Sequence, residues 1–199
     1  MKICVYGASS DVIDPVYLDA GYELGRRMAA RGHGLVYGGG ARGMMGAAAR
    51  GVHDGGGWQL GIAPSFFHVD GVLFEHCDEF IYTDTMRERK QLMEERSDAF
   101  VMTAGGIGTF EEFFEVLTLK QLGRHTKPIA VLNTGGYFDA LETMLKQAVE
   151  QRFMKEGCLS LYRFCSTPDE VLDYLENAAQ LPVDPAAFKH FEEGISKKG

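Results

Sequence analysis

Two charged segments of this 199-residue chain carry residue types at a spacing suited to nucleotide chemistry. One is Arg87-Glu88-Arg89-Lys90. The other is Glu111-Glu112 with Glu115, directly after Gly105-Gly106-Ile107-Gly108-Thr109. Glycines let a backbone turn tightly and bring its N–H groups against an anion. A helix that opens there adds unpaired N–H groups and a partial positive charge. The segment Gly105 to Thr109 therefore reads as a phosphate-binding loop between a buried strand and a helix. A carboxylate one turn beyond it is placed to reach the sugar bearing that phosphate. Thr109-x-x-Glu112 also has the spacing of a capping box, in which Glu112 would serve only the helix end. Within 87–90 an arginine is the better candidate to clamp a phosphate or orient a leaving base. Which of Arg87, Arg89 and Lys90 points inward is left open, and a solvated face of weak ion pairs is the competing reading.

Two further turns resemble the first loop in composition: Gly7-Ala8-Ser9-Ser10 and Gly38-Gly39-Gly40-Ala41-Arg42-Gly43. Each follows an apolar run that reads as a strand. In an open α/β sheet such turns gather beyond the carboxyl ends of the strands, where ligands sit. Ser9, Gly39 and Gly40 are accordingly candidate phosphate contacts. No Gly-Lys-Ser/Thr follows any of the loops, so none is a P-loop. Tyr37 runs directly into Gly38, where a dinucleotide site would place an acidic ribose-binding residue, so NAD is not expected.

The elements that must position these residues follow from periodicity. Apolar runs predict strands at 2–6, 34–37, 58–63, 79–82, 98–102 and 128–132, with a weaker one at 161–164. Helices fill the gaps: one capped by Asp14 with Pro15 in its first turn and ended at Gly32-His33-Gly34, and one from Gly43 to the glycines at 55–57. Others cover 85–97, 109–122 and 137–152, and a last one has Thr167 as cap and Pro168 behind it. This alternation predicts an α/β fold, Rossmann-like: a doubly wound parallel sheet of six or seven strands with helices on both faces. Ala99-Phe100-Val101-Met102 and Ile129-Ala130-Val131-Leu132 are apolar throughout, as a sheet covered on both sides requires. Residues 1–181 read as one catalytic domain, and 182–199 as a loosely attached tail with Lys197, Lys198 and Gly199 in solvent.

A net charge of −8 argues against binding nucleic acid. Cys4, Cys77, Cys158 and Cys165 form no Cys-x-x-Cys pair or zinc-ligand pattern, and they read as reduced thiols with no metal site. The apolar runs are too short to span a bilayer, and a cytoplasmic location is expected.

These residues resemble the LOG (Lonely Guy) family, the cytokinin riboside 5′-monophosphate phosphoribohydrolases. The family's Pro-Gly-Gly-x-Gly-Thr-x-x-Glu is matched by Ala104-Gly105-Gly106-Ile107-Gly108-Thr109-Phe110-Glu111-Glu112, and its Met-His-x-Arg-Lys by Met86-Arg87-Glu88-Arg89-Lys90. Val36 to Gly40 with Gly43-Met44-Met45-Gly46, then Leu117 to Gly123 and Lys127-Pro128, continue the likeness over about residues 2–155. The resemblance implies that Arg89 and Glu112 are the catalytic pair. It implies that Lys90, Gly105, Gly106, Ile107, Gly108, Thr109, Glu111 and Thr118 contact the nucleotide. Ala104 stands where the motif has proline, Arg87 where it has histidine, and Gly71 where many members carry a substrate-contacting glutamate.

The implied reaction is hydrolysis of the bond between a purine base and ribose 5-phosphate, with a small-molecule nucleotide as partner and no metal or organic cofactor. The implied assembly is a homodimer, for which the 86–96 helix and the Phe110/Phe113/Phe114 face are candidate surfaces. Two other classes keep the same loops: a carrier of a phosphorylated cofactor such as the molybdenum cofactor, and a nucleotide sensor. A carrier would have no need for Arg89 with Glu112. A lysine decarboxylase would need pyridoxal phosphate on a lysine in a much larger fold.

Overall fold

The computed structural model describes residues 1–67, 73–74, 76–180, 182 and 184–188. Seven strands form its sheet: β1 (Lys2–Tyr6), β2 (Gly34–Tyr37), β3 (Gln59–Pro64), β4 (Glu79–Thr83), β5 (Ala99–Met102), β6 (Ile129–Leu132) and β7 (Arg163–Cys165). They lie in the order β4-β3-β2-β1-β5-β6-β7 and every neighbouring pair is parallel. The helices are α1 (Pro15–Ala30), α2 (Gly43–Asp54), α3 (Met86–Glu95), α4 (Ile107–Gln121), α5 (Asp139–Glu150) and α6 (Pro168–Asn177).

Because a strand points alternate side chains to opposite faces, β1 feeds two cores. Cys4 and Tyr6 join Met93 of α3, Phe113, Val116 and Leu117 of α4 and Leu145 of α5 on one face. Ile3 and Val5 join Leu24 and Met28 of α1, Ala48, Ala49 and Val52 of α2, and Val171, Leu172 and Leu175 of α6 on the other. Both layers are dry, which is why the central strands carry no polar alternation. α6 is also tied to α1 by Arg27 to Asp169 at 2.5 Å and Arg31 to Asp173 at 2.7 Å. These pairs are largely solvated, so apolar burial dominates that contact.

The chain winds outward from β1 to β4, then returns to start again at β5 on the other side of β1. The loops leaving β1 and β5 therefore diverge to opposite faces and open a crevice at the carboxyl edge, the place where such sheets bind ligands. Within the 182–199 tail, Pro185–Phe188 form a short helical turn and Phe188 packs against the core. Lys197, Lys198 and Gly199 lie outside the described residues, as does Gly71. Among the described residues no helix is long and apolar enough to cross a membrane, and no group of His, Cys, Asp and Glu is arranged to hold a metal ion.

Candidate active site

α3 begins where its sequence says it should. Thr85 accepts from the Glu88 N–H, and the Glu88 carboxylate accepts from the N–H groups of Thr85 and Asp84. This capping box fixes the first turn, and packing on β3 and α4 then selects which of the three cations turns inward. Arg89 is buried, Lys90 is partly buried, and Arg87 is exposed.

The Arg89 guanidinium crosses from α3 to α4. Its Nη1 donates to Glu112 Oε1 at 2.9 Å and its Nε to the Ile62 carbonyl of β3 at 3.2 Å. The side chains are 9% and 11% exposed, so this ion pair is close to dry. A Cβ at Gly38 would fall against Arg89 Nη2, so the first glycine after β2 is the space the guanidinium occupies. Burial raises the Glu112 carboxyl above the ordinary carboxylate range, and the Arg89 charge and hydrogen bond pull it back part of the way. Beneath the pair lie Cys4 and Tyr6; burial pushes the Cys4 thiol up to about 12 and raises the Tyr6 hydroxyl as well. The floor of the site is thus uncharged and shielded from water, which strengthens electrostatic effects inside it.

Lys90 bonds Glu111 Oε1 and reaches Glu115 Oε2 at 3.0 Å. Partial burial works against its charge, but the two carboxylates outweigh that and raise its pKa.

The third glycine loop behaves differently from the other two. α4 starts at Ile107 with Gly106 as its N-cap, and that end has no side-chain cap and no acidic residue in its first turn. Thr109 is therefore the third helical residue rather than a cap, and Glu112 turns to Arg89. This corrects the capping-box reading of Thr109 and Glu112, because the helix opens three residues earlier than that box requires. Gly106 and Gly108 are exposed, with open space where a Cβ would stand, and Ile107 is 88% exposed. Gly105 is buried; its missing Cβ leaves room for the Thr109 side chain.

At the starts of α1, α2 and α6 a side-chain oxygen already takes one of the first N–H groups. Asp14 accepts from Val16 N–H at α1, and Thr167 from Glu170 N–H at α6. At α2, Asp11 Oδ1 accepts from the Gly43 N–H at 2.7 Å. Gly39, at φ 73°, is buried with its missing Cβ against Phe80 (2.6 Å to Cζ), and Gly40 lies against Met45. Ser9 is exposed on the β1–α1 loop, where Ala8 N–H donates to the Ala104 carbonyl at 3.0 Å and Ala8 O accepts from Met44 N–H at 2.8 Å. Arg89, Glu112 and Lys90 thus gather beside the Gly105–Thr109 loop. Thr118 does not join them: it is exposed on α4, six residues past Glu112 and so about 9 Å further along the axis. Of the candidate dimer face, Phe113 is wholly buried, while Phe110 and Phe114 pack on the same core and stay partly exposed.

Sequence reasoning missed Asp11, whose short reach to Gly43 depends on loops far apart in the chain. It also missed Tyr137, whose hydroxyl donates to the Gly105 carbonyl at 2.8 Å. The run Asn133-Thr134-Gly135-Gly136-Tyr137 was the available signal, since paired glycines before an aromatic mark a built turn.

Comparison with known proteins agrees with this geometry. Residues 45–175 match a family model described as "Possible lysine decarboxylase". A probable cytokinin riboside 5′-monophosphate phosphoribohydrolase of Oryza sativa subsp. japonica, LOGL3, is 38% identical over 88% of this chain and 83% of its own length. The cytokinin riboside 5′-monophosphate phosphoribohydrolase LOG2 of Arabidopsis thaliana is 39% identical over 88% and 82%. Among solved structures, the molybdenum cofactor binding protein of Rippkaea orientalis superposes with a TM-score of 0.67 at 23% identity, covering 88% of this chain and 94% of that one. That last likeness is one of fold. With relatives this similar over more than four fifths of their length, and with the two motifs brought together in space, the chain belongs to the LOG family.

Proposed function

We propose that this protein hydrolyses the N-glycosidic bond of a purine nucleoside 5′-monophosphate, an N6-modified adenine nucleotide or AMP, releasing the free base and ribose 5-phosphate. The observation that carries the reading is the nearly dry Arg89–Glu112 pair set beside an uncapped helix start. The 5′-phosphate is held by the N–H groups of Gly106 to Thr109, with the α4 dipole behind them. Loss of the base leaves an oxocarbenium-like sugar, which needs a negative charge near C1′ and a placed water. Glu112 supplies both. Its raised pKa makes it a stronger base than a solvated glutamate, and the Arg89 charge and hydrogen bond favour its ionised form. Arg89, with Nε and Nη1 already committed, orients Glu112 and keeps it charged. Lys90 sets Glu111 and Glu115 at the mouth.

Incubation with AMP and with isopentenyl-AMP, followed by assay for free base, tests the reading. Release of base and ribose 5-phosphate supports it; tight AMP binding without release would mark a sensor instead. Gly38→Ala provides a finer test. The added methyl would displace the guanidinium tip rather than backbone, so the variant should fold normally yet lose about ten- to a hundredfold in kcat/KM. An unchanged rate would mean that the position of Arg89 does not matter.

The reading extends to a homodimer acting in the cytoplasm, in line with four cysteines that are all free thiols. The open face of α4, with Ile107, Glu111, Thr118 and Leu122, is the surface this chain offers a second copy. Light scattering at micromolar concentration should give twice the chain mass; a monomer would contradict it.

A further inference from the structure

Resting on the phosphate-loop reading above, we propose that Tyr137 is a positioning residue that sets the orientation of the Gly105–Gly106 peptide and so aims the Gly106 N–H at the phosphate. Two consecutive glycines make that peptide free to rotate, because neither residue has a Cβ to favour one orientation. In a trans peptide the carbonyl and the N–H point in opposite directions. The Tyr137 hydroxyl holds the Gly105 carbonyl on its own side at 2.8 Å, which turns the Gly106 N–H the other way. Gly106 is exposed there, and no protein acceptor among the described residues takes its N–H. With the peptide reversed, a carbonyl oxygen would face the anion and repel it.

The hydroxyl is held by a built strut rather than by chance. Gly135 (φ 61°) and Gly136 (φ 74°) both adopt left-handed backbone, which lets the β6–α5 connection fold back toward β5. Asn133 closes that turn, accepting from Phe138 N–H and donating to Asp139 Oδ1, each at 2.7 Å. The Tyr137 ring is wedged edge-on between Tyr17 of α1, with centroids 5.5 Å apart, and Phe138, at 4.8 Å. Tyr17 follows the β1–α1 loop, so the strut ties the loops on both sides of the crevice to one aromatic group.

The test is Tyr137→Phe, which removes one hydroxyl and keeps the ring. Binding is measured by calorimetry with two probes, ribose 5-phosphate and adenosine, beside KM and kcat for AMP. The variant should bind ribose 5-phosphate about tenfold more weakly, the scale of one lost hydrogen bond amplified by a misaimed N–H. Adenosine affinity should stay within about twofold, and KM for AMP should rise while kcat changes little. Tyr137→Leu, which also removes the ring, should show at least the same selective loss. Equal weakening of both probes would indicate a general packing role and overturn the proposal, as would unchanged ribose 5-phosphate binding. If the unaltered protein binds no ribose 5-phosphate, the phosphate-loop reading itself falls, and this one with it.

Discussion

Glu112→Gln is expected to lower kcat for base release from AMP or isopentenyl-AMP by about a thousandfold or more, with nucleotide affinity within about threefold of the original. Glutamine keeps the size of the side chain and can still accept from Arg89 Nη1, so the geometry around the pair persists. What disappears is the negative charge facing C1′ and the basic group that orients water. The rate profile of the unaltered enzyme offers a second reading of the same group. Burial holds the Glu112 carboxyl above the ordinary glutamate value, about 4.3 in solvated peptides. The acid limb of kcat/KM should therefore lie above that value and rise to a plateau as Glu112 ionises. Turnover retained within tenfold by Glu112→Gln would remove Glu112 from the mechanism. An acid limb at the solvated value would show that the carboxyl is not dry in the working enzyme.

Arg89→Ala should abolish activity and also destabilise the fold. Removing one partner from a buried pair leaves the other charge unpaired in a poor solvent, which typically costs about 3 kcal/mol or more. For a chain of this size that corresponds to a fall of about 6–12 °C in melting temperature. The loss has a signature in pH. Without Arg89 the Glu112 carboxyl is raised further, since Arg89 is what pulls it down in the intact pair. A carboxyl whose folded pKa exceeds its unfolded one binds its proton more tightly when folded. Its contribution is fully favourable below the unfolded pKa and is lost as pH rises through the folded one. The gap in melting temperature between Arg89→Ala and the unaltered protein should accordingly be wide at alkaline pH and narrow toward the solvated glutamate range. A gap independent of pH would mean that the damage comes from lost packing of the arginine stem and not from the stranded charge.

Much of this architecture is legible in the residues. All seven strands fall within two residues of the positions their apolar runs predict, and Asp14-Pro15 and Thr167-Pro168 open helices as such pairs should. Periodicity and capping are local, so one segment suffices to read them. The family motifs are similarly local, and they select Arg89 and Glu112 before any fold is known. The cap at Thr85 was equally available, through its glutamate three residues on, and it marks where α3 begins.

What the chain could not disclose by itself are relations between segments. Three glycine loops looked alike, yet in the second Asp11 takes the Gly43 N–H and Arg89 and Phe80 occupy the space beside Gly38 and Gly39, in the first Ala8 is tied to Ala104 and Met44, and the start of α4 has no side-chain cap. Thr109 and Glu112 had the spacing of a cap, but spacing does not say where a helix begins, and the ion pair to Arg89 depends on packing α3 beside α4. The phenylalanines at 110, 113 and 114 could face a partner or the interior, and only the tertiary packing shows that Phe113 is wholly buried and the other two partly so. Glycine permits a turn without stating what fills the space it leaves. The sequence itself determined the order of elements and the chemical types at the site, because both rest on interactions within one segment. The tertiary structure decided which loop is free, which cation is buried and that Tyr137 touches Gly105, because each depends on atoms distant in the chain meeting within a few ångströms.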